Sequence, residues 1–270
     1  MDAAETVETT DVTVDGPHGG IRTRRYLPPA GVPVASTAPI VWVHGGAFVS
    51  GGLDQRETHE VARALALEGF RVVTVDYRLT TRAQVRRIRY PVPLDDVVAV
   101  VREVQRENPG GVILGGASAG ACLSAATVLR IRGEVPLVGV FFAYGTFHGA
   151  LPKPSAELRS RLTGRRRYTH TPPLIGLMNL NYAGSRAAML EAFAFPGGHE
   201  VSGFPPSLLV DAERDIMRAS GSAFAKELGD VGVPVDYHVM EGAGHAFLHR
   251  PRDPAFPKGI RLIAEWAKRL

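Results

Sequence analysis

"GVILGGASAG", residues 111–120, decides how this chain is read. Val112, Ile113 and Leu114 make a short apolar run of the kind found in a strand buried on both faces. Two glycines follow, then Ser118 within a G-x-S-x-G pattern, then an alanine-rich stretch from Ala119 to about Arg132 that reads as a helix. Strand, sharp turn and helix in that order is the setting in which such a serine becomes a nucleophile held at the top of a sheet. The pattern alone is weak, because 30 of the 270 residues are glycine and chance can produce it. Its surroundings must decide.

Working outward, the chain alternates short β-rich runs with helical stretches. "DVTV" from Asp11 and "IRTRRYL" from Ile21 flank the turn "DGPHGG" as a hairpin. "PIVWVHGG" (39–46), "RVVTVDY" (71–77), "LVGVFFAY" (137–144), "PSLLVDA" (206–212) and "PVDYHVM" (234–240) read as further strands. Helical stretches run from about Arg56 to Glu68 and from Asp95 to Glu107, the latter capped by Asp95 or Asp96. Two more lie around 221–228 and 257–270. This alternation predicts an α/β fold with a mostly parallel, eight-stranded sheet covered on both faces. Two stretches break the rhythm, 80–93 and 147–204. An excursion as long as the second is expected to be a cap inserted into one domain spanning 1–270.

Composition sets the bounds. The formal net charge of +4, with a pI near 9.4, is too mild to argue for nucleic-acid binding without a basic motif. The single cysteine, Cys122, excludes an internal disulfide framework and reads as packing within a buried helix. No signal peptide is visible, and no apolar run is long enough to span a bilayer. The expectation is a soluble cytoplasmic protein.

In a parallel α/β sheet ligands collect at the carboxyl ends of the strands, and Ser118 sits at one. A nucleophilic serine needs a base, and the base an orienting acid. Nine histidines are present, but only His245, in "MEGAGHAF", follows the last strand in a Gly-rich loop. His249, beside Pro251, falls in a polar segment with no evident role. For the acid, "LLVDAERDIMR" offers Asp211, Glu213 and Asp215; Asp215 is preferred because Asp211 should still lie on the strand. The order Ser118, Asp215, His245 is that of the α/β-hydrolases. An oxyanion hole requires N–H groups aimed at the developing negative charge. "HGGAF" (44–48), with Gly45 and Gly46 after a strand, and Ala119 directly after the serine, can supply them.

With these residues in hand, the chain from Pro39 to Leu270 resembles the hormone-sensitive-lipase group of α/β-hydrolase esterases. "VHGGAFVSGGLD" resembles that group's HGGGF-type loop, "GASAG" its GDSAG elbow, "DAERDIMR" its acid segment and "GVPVDYHVMEGAGHAF" its final strand and histidine loop. The resemblance implies a carboxylesterase with Ser118 as nucleophile, Asp215 as acid and His245 as base, and oxyanion donors on Gly46, Ala47 and Ala119. It implies no metal or organic cofactor and a small ester as substrate, with no nucleic-acid partner; a homodimer through an edge strand or the final helix would suit the family. There are departures. Ala47 replaces the loop's third glycine, Ala117 replaces an acidic residue, and the Ala-Pro-Glu sequence after "DYRL" is absent. Few residues precede the first predicted strand, whereas the group carries an N-terminal helical half of its cap. The same triad serves an amidase or formamidase. A non-catalytic ligand-binding relative, like the plant gibberellin receptors, would lack the histidine that His245 supplies. Phe48, Tyr144, Phe147, Tyr168, Met178 and Phe247 are candidate pocket walls, each equally readable as core. Arg82, Arg86, Arg87, Arg89 and Arg165 to Arg167 are expected either to border the mouth, attracting an anionic substrate, or to form a solvated basic surface.

Overall fold

The computed structural model of the chain describes residues 6–80, 88–162 and 171–270. Eight strands form a single sheet: β1 (Glu8–Val14), β2 (Ile21–Leu27), β3 (Ile40–Val43), β4 (Val72–Val75), β5 (Val112–Ala117), β6 (Leu137–Ala143), β7 (Ser207–Arg214) and β8 (Val235–Gly244). Their order is β1-β2-β4-β3-β5-β6-β7-β8. β1 and β2 form the predicted hairpin, β2 runs antiparallel to β4, and every pairing from β4 to β8 is parallel. Seven helices are described: α1 (Arg56–Leu67), α2 (Val92–Glu107), α3 (Ala119–Arg130), α4 (Ala156–Arg161), α5 (Pro172–Ala183), α6 (Arg218–Asp230) and α7 (Ala255–Ala267).

The two faces of the sheet feed two separate cores, because successive side chains of a strand point opposite ways. On β3, Ile40 and Trp42 join a core with Val61 and Leu65 of α1 and Ile260 and Ile263 of α7. Val41 and Val43 join the other, with Val97 and Val101 of α2, Leu123 of α3 and Phe224 of α6. β3 and β4 are buried at every position, which is why they read as continuous apolar runs rather than alternating ones.

α2 begins three residues earlier than its sequence suggests, and neither Asp95 nor Asp96 caps it; the capping position is Pro91. Asp96 is fully buried and accepts from the backbone N–H of Arg78 at 2.8 Å while pairing with the Arg78 guanidinium. It therefore ties the segment after β4 to the helix. Cys122 is buried, its thiol donates to the Ala194 carbonyl, and burial pushes its pKa up. It packs, as expected.

The 147–204 stretch divides by packing. Its later part is woven into the core: Tyr182 stacks on Phe48 at 3.9 Å between ring centroids, and Phe195 meets both rings edge-on. Its earlier part carries α4 and the first turns of α5, where Ile175 clusters with Ile216 and Met217 just past β7. Met178 of α5 faces a cleft there. Tyr168 and Arg82, Arg86, Arg87, Arg165, Arg166 and Arg167 lie outside the described residues. No helix among the described residues is long and apolar enough to cross a membrane.

Candidate active site

Ser118, Asp215, His245 and the His44 loop each begin where a parallel strand stops: after β5, β7, β8 and β3 respectively. The sheet thus delivers four separated segments to one edge. Ser118 occupies φ 52°, ψ −116°, a conformation that side-chain-bearing residues seldom adopt. The surrounding glycines make that turn geometrically feasible. A Cβ on Gly120 would lie 2.2 Å from the Val43 carbonyl oxygen, and one on Gly116 2.4 Å from that of Gly120. Neither position admits a side chain, so the G-x-S-x-G spacing is dictated by backbone contact.

Ser118 Oγ lies 3.1 Å from His245 Nε2, and His245 Nδ1 lies 2.6 Å from Asp215 Oδ2. Asp215 Oδ1 accepts from the Met217 N–H at 3.1 Å. With the carboxylate held this way, Nδ1 carries the imidazole proton and the Nε2 lone pair faces the serine hydroxyl. All three groups are nearly enclosed, at 7%, 2% and 9% exposure for Ser118, Asp215 and His245, which strengthens their mutual electrostatics. Asp211, four residues earlier, stays on β7 and instead accepts from the Tyr237 hydroxyl at 3.0 Å. Burial pushes its pKa well above the usual carboxylate range.

A second serine–histidine–carboxylate arrangement exists: Ser220 Oγ is 2.8 Å from His148 Nδ1, and His148 Nε2 is 2.9 Å from Glu227. Ser220 is fully buried and accepts from the Phe147 N–H. It fastens the segment that follows β6 to α6 and has no access to a reactant.

The loop after β3 takes an unusual path, with Gly46 at φ 120°, Ala47 at 56° and Phe48 at 63°. Gly46 and Ala47 line the cleft beside Ser118. Ala119 is the first residue of α3, so its N–H has no carbonyl one turn back to bond. Gly45 departs from expectation: its N–H donates to Glu57 Oε2 at 2.7 Å, which removes it from the oxyanion set. His44 is fully buried, bonded through Nδ1 to the Gly45 carbonyl and stacked on Tyr77, and burial lowers its pKa to about 4. It is a neutral strut for the loop.

A cleft of about 270 Å³ opens over Ser118. Of the expected walls among the described residues, only Met178 lines it. Phe48 turns inward onto Tyr182, Phe147 stacks on Phe224, and Phe247 packs against Tyr144; all are core. Tyr144 meets His245 edge-on at 5.1 Å but its hydroxyl donates to Glu57 Oε1 at 2.6 Å, inside the protein. Sequence reasoning missed Gln55, Glu57, Met217 and His249, which do line the cleft. A signal for Glu57 was available. It precedes Val61 and Leu65 at helical spacing, which sets a carboxylate on the apolar face of α1. Among the described residues no group of three His, Cys, Asp or Glu side chains could hold a metal ion.

Residues 40–249 match a family model described as the alpha/beta hydrolase fold. The chain belongs to that family. This α/β-hydrolase is 31% identical over 244 residues to carboxylesterase NlhH of Mycobacterium tuberculosis, covering 85% of the chain and 72% of that protein. It is 27% identical over 274 residues to an acetyl esterase of Salmonella enteritidis, covering 96% and 81% respectively. Among solved structures, a Pyrobaculum calidifontis esterase superposes with a TM-score of 0.82 at 28% identity, over 97% of this α/β-hydrolase and 84% of that chain. Brefeldin A esterase, described as a bacterial homologue of human hormone-sensitive lipase, superposes at 0.81 with 26% identity, over 97% and 76%. The resemblance to the hormone-sensitive-lipase group is borne out.

Proposed function

We propose that this α/β-hydrolase cleaves carboxylic esters of short acyl chains through a covalent acyl-enzyme on Ser118. The observation that carries the reading is the hydrogen-bonded line Ser118–His245–Asp215, at 3.1 and 2.6 Å, opening into a cleft beside Gly46 and Ala47. His245 Nε2 takes the hydroxyl proton as Ser118 Oγ attacks the ester carbonyl, and Asp215 stabilises the resulting imidazolium. The carbonyl oxygen becomes negative against the N–H groups of Gly46, Ala47 and Ala119; one such donor is worth about 3 kcal/mol in the transition state. His245 then protonates the departing alcohol. Water, activated by the same imidazole, attacks the acyl-serine and releases the acid.

The short-acyl preference rests on size. At about 270 Å³ the cleft is at or below the ~300 Å³ lower end of small-molecule sites, and Met178 and Met217 give it an apolar wall. The 147–204 insertion acts as the cap of a single domain, with α4 and the first turns of α5 as its outer part. Hydrolysis of p-nitrophenyl esters from acetate to decanoate, beside Ser118→Ala, tests the reading. The expected result is fastest turnover at acetate to butyrate, reduced at least ~10³-fold by the substitution. Turnover that survives in Ser118→Ala, or that rises toward decanoate, refutes it.

A further inference from the structure

The cleft has two chemically different walls. Met178 and Met217 are apolar, whereas Ser50, Gln55 and His249 are polar and are not used by the triad or the oxyanion donors. Gln55 and His249 form one surface, since Gln55 Nε2 lies 3.4 Å from His249 Nδ1. As the amide is oriented, its N–H donates there, so Nδ1 accepts and a neutral ring carries its proton on Nε2. Nε2 has no partner among the described residues. The Ser50 hydroxyl donates to the Gly46 carbonyl at 3.1 Å, leaving its oxygen free to accept. The wall therefore offers a donor and an acceptor together, the pair that a hydroxyl group satisfies.

Its position relates it to one half of the substrate. The departing alcohol must lie beside His245 Nε2 to receive its proton. The turn that carries His245 continues through Ala246 to His249, and both line the cleft. We propose that Ser50, Gln55 and His249 form a leaving-group subsite that selects esters of hydroxylated alcohols, such as polyols or sugars, over esters of plain alkyl alcohols. The proposal rests on the ester-hydrolase reading above and adds to it the class of alcohol.

Glycerol 1-acetate and n-propyl acetate test it, because they share the acyl group and carbon skeleton and differ by two hydroxyls. Acetate release is followed for each, with kcat/KM divided by the hydroxide-catalysed rate of the same ester. The expected ratio favours the glycerol ester by about tenfold, as one or two such hydrogen bonds would give. In His249→Phe and in Ser50→Ala the ratio falls toward one, while His249→Gln, which keeps an N–H donor, retains most of it. Both esters are measured on one preparation, so partial misfolding cancels from the ratio. A ratio near one in the unaltered protein, or an undiminished ratio in His249→Phe and Ser50→Ala, overturns the subsite. If that occurs while p-nitrophenyl acetate is still cleaved in a Ser118-dependent way, the subsite alone falls. If none of the three esters is cleaved through Ser118, both readings fall.

Discussion

Replacing Glu57 should damage catalysis without touching any group that meets the substrate in the proposed mechanism. Glu57 is only 2% exposed, and its two oxygens hold the Gly45 N–H at 2.7 Å and the Tyr144 hydroxyl at 2.6 Å. One partner begins the loop that carries the proposed oxyanion donors and the other packs edge-on against His245. In Glu57→Ala two buried donors lose a charged acceptor, each worth about 1.5–3 kcal/mol. Water entering from the cleft, which Glu57 lines, recovers part, leaving a net loss of about 3 kcal/mol of stability. That corresponds to a drop in Tm of roughly 6–10 °C for a domain of this size. A loop free to shift surrenders part of one oxyanion donor, whose full removal costs about 10²–10³ in kcat. We expect kcat on p-nitrophenyl acetate to fall by about 10–100-fold with KM changed less than about threefold. Glu57→Gln should fall only slightly, because its amide accepts from Gly45 and donates to a rotated Tyr144 hydroxyl. Steady-state kinetics and thermal melts of the three proteins decide. A kcat for Glu57→Ala within threefold of the parent refutes the positioning role, as does an equal loss in Glu57→Gln.

Two further expectations concern buried titratable groups. His44, neutral in the fold with a pKa of about 4 against an ordinary value near 6.5, contributes stability that is present above pH 6.5 and lost as pH falls toward 4. The loss reaches about 3 kcal/mol at most, and urea melts of His44→Asn should show a flatter pH dependence over that window. Asp211 is the opposite case: burial raises its carboxyl pKa in the fold, so its stabilising share is full below about pH 4 and declines as pH rises. Asp211→Asn, which keeps an acceptor for Tyr237, should melt at least about 2 °C higher than the parent at pH 8 and show no gain at pH 4; a lower Tm at pH 8 contradicts this.

The line Ser118–His245–Asp215 was legible because each member is defined by its place at the end of a strand. Period-two and apolar-run patterns mark those ends from the sequence alone. The walls were not legible for the same kind of reason. Phe48 follows a strand too, yet whether it faces the cleft depends on the sign of φ in a loop where Gly46, Ala47 and Phe48 all take positive values. That geometry turns Phe48 onto Tyr182, whose place in the core no local pattern announces. Gly45 looked like a donor to the cleft because glycine spacing says where backbone can come close, not what an N–H meets. The acceptor, Glu57, is twelve residues away in another element. His249 was passed over as one polar residue among several, and only its meeting with Gln55 across the fold gives it meaning.

The Phe48–Tyr182–Phe195 cluster bears on how such enzymes can be recombined. An exchange of residues 147–204 between relatives invites cuts at both ends. Yet Tyr182 and Phe195 are what the loop after β3 rests upon, since Phe48 packs on both, with ring centroids at 3.9 and 6.5 Å. Swapping that later part as well would replace the floor of this loop together with Met178, which lines the cleft. A graft of new substrate range therefore has to rejoin the parent before Tyr182, leaving α4 and the first turns of α5 as the exchangeable portion.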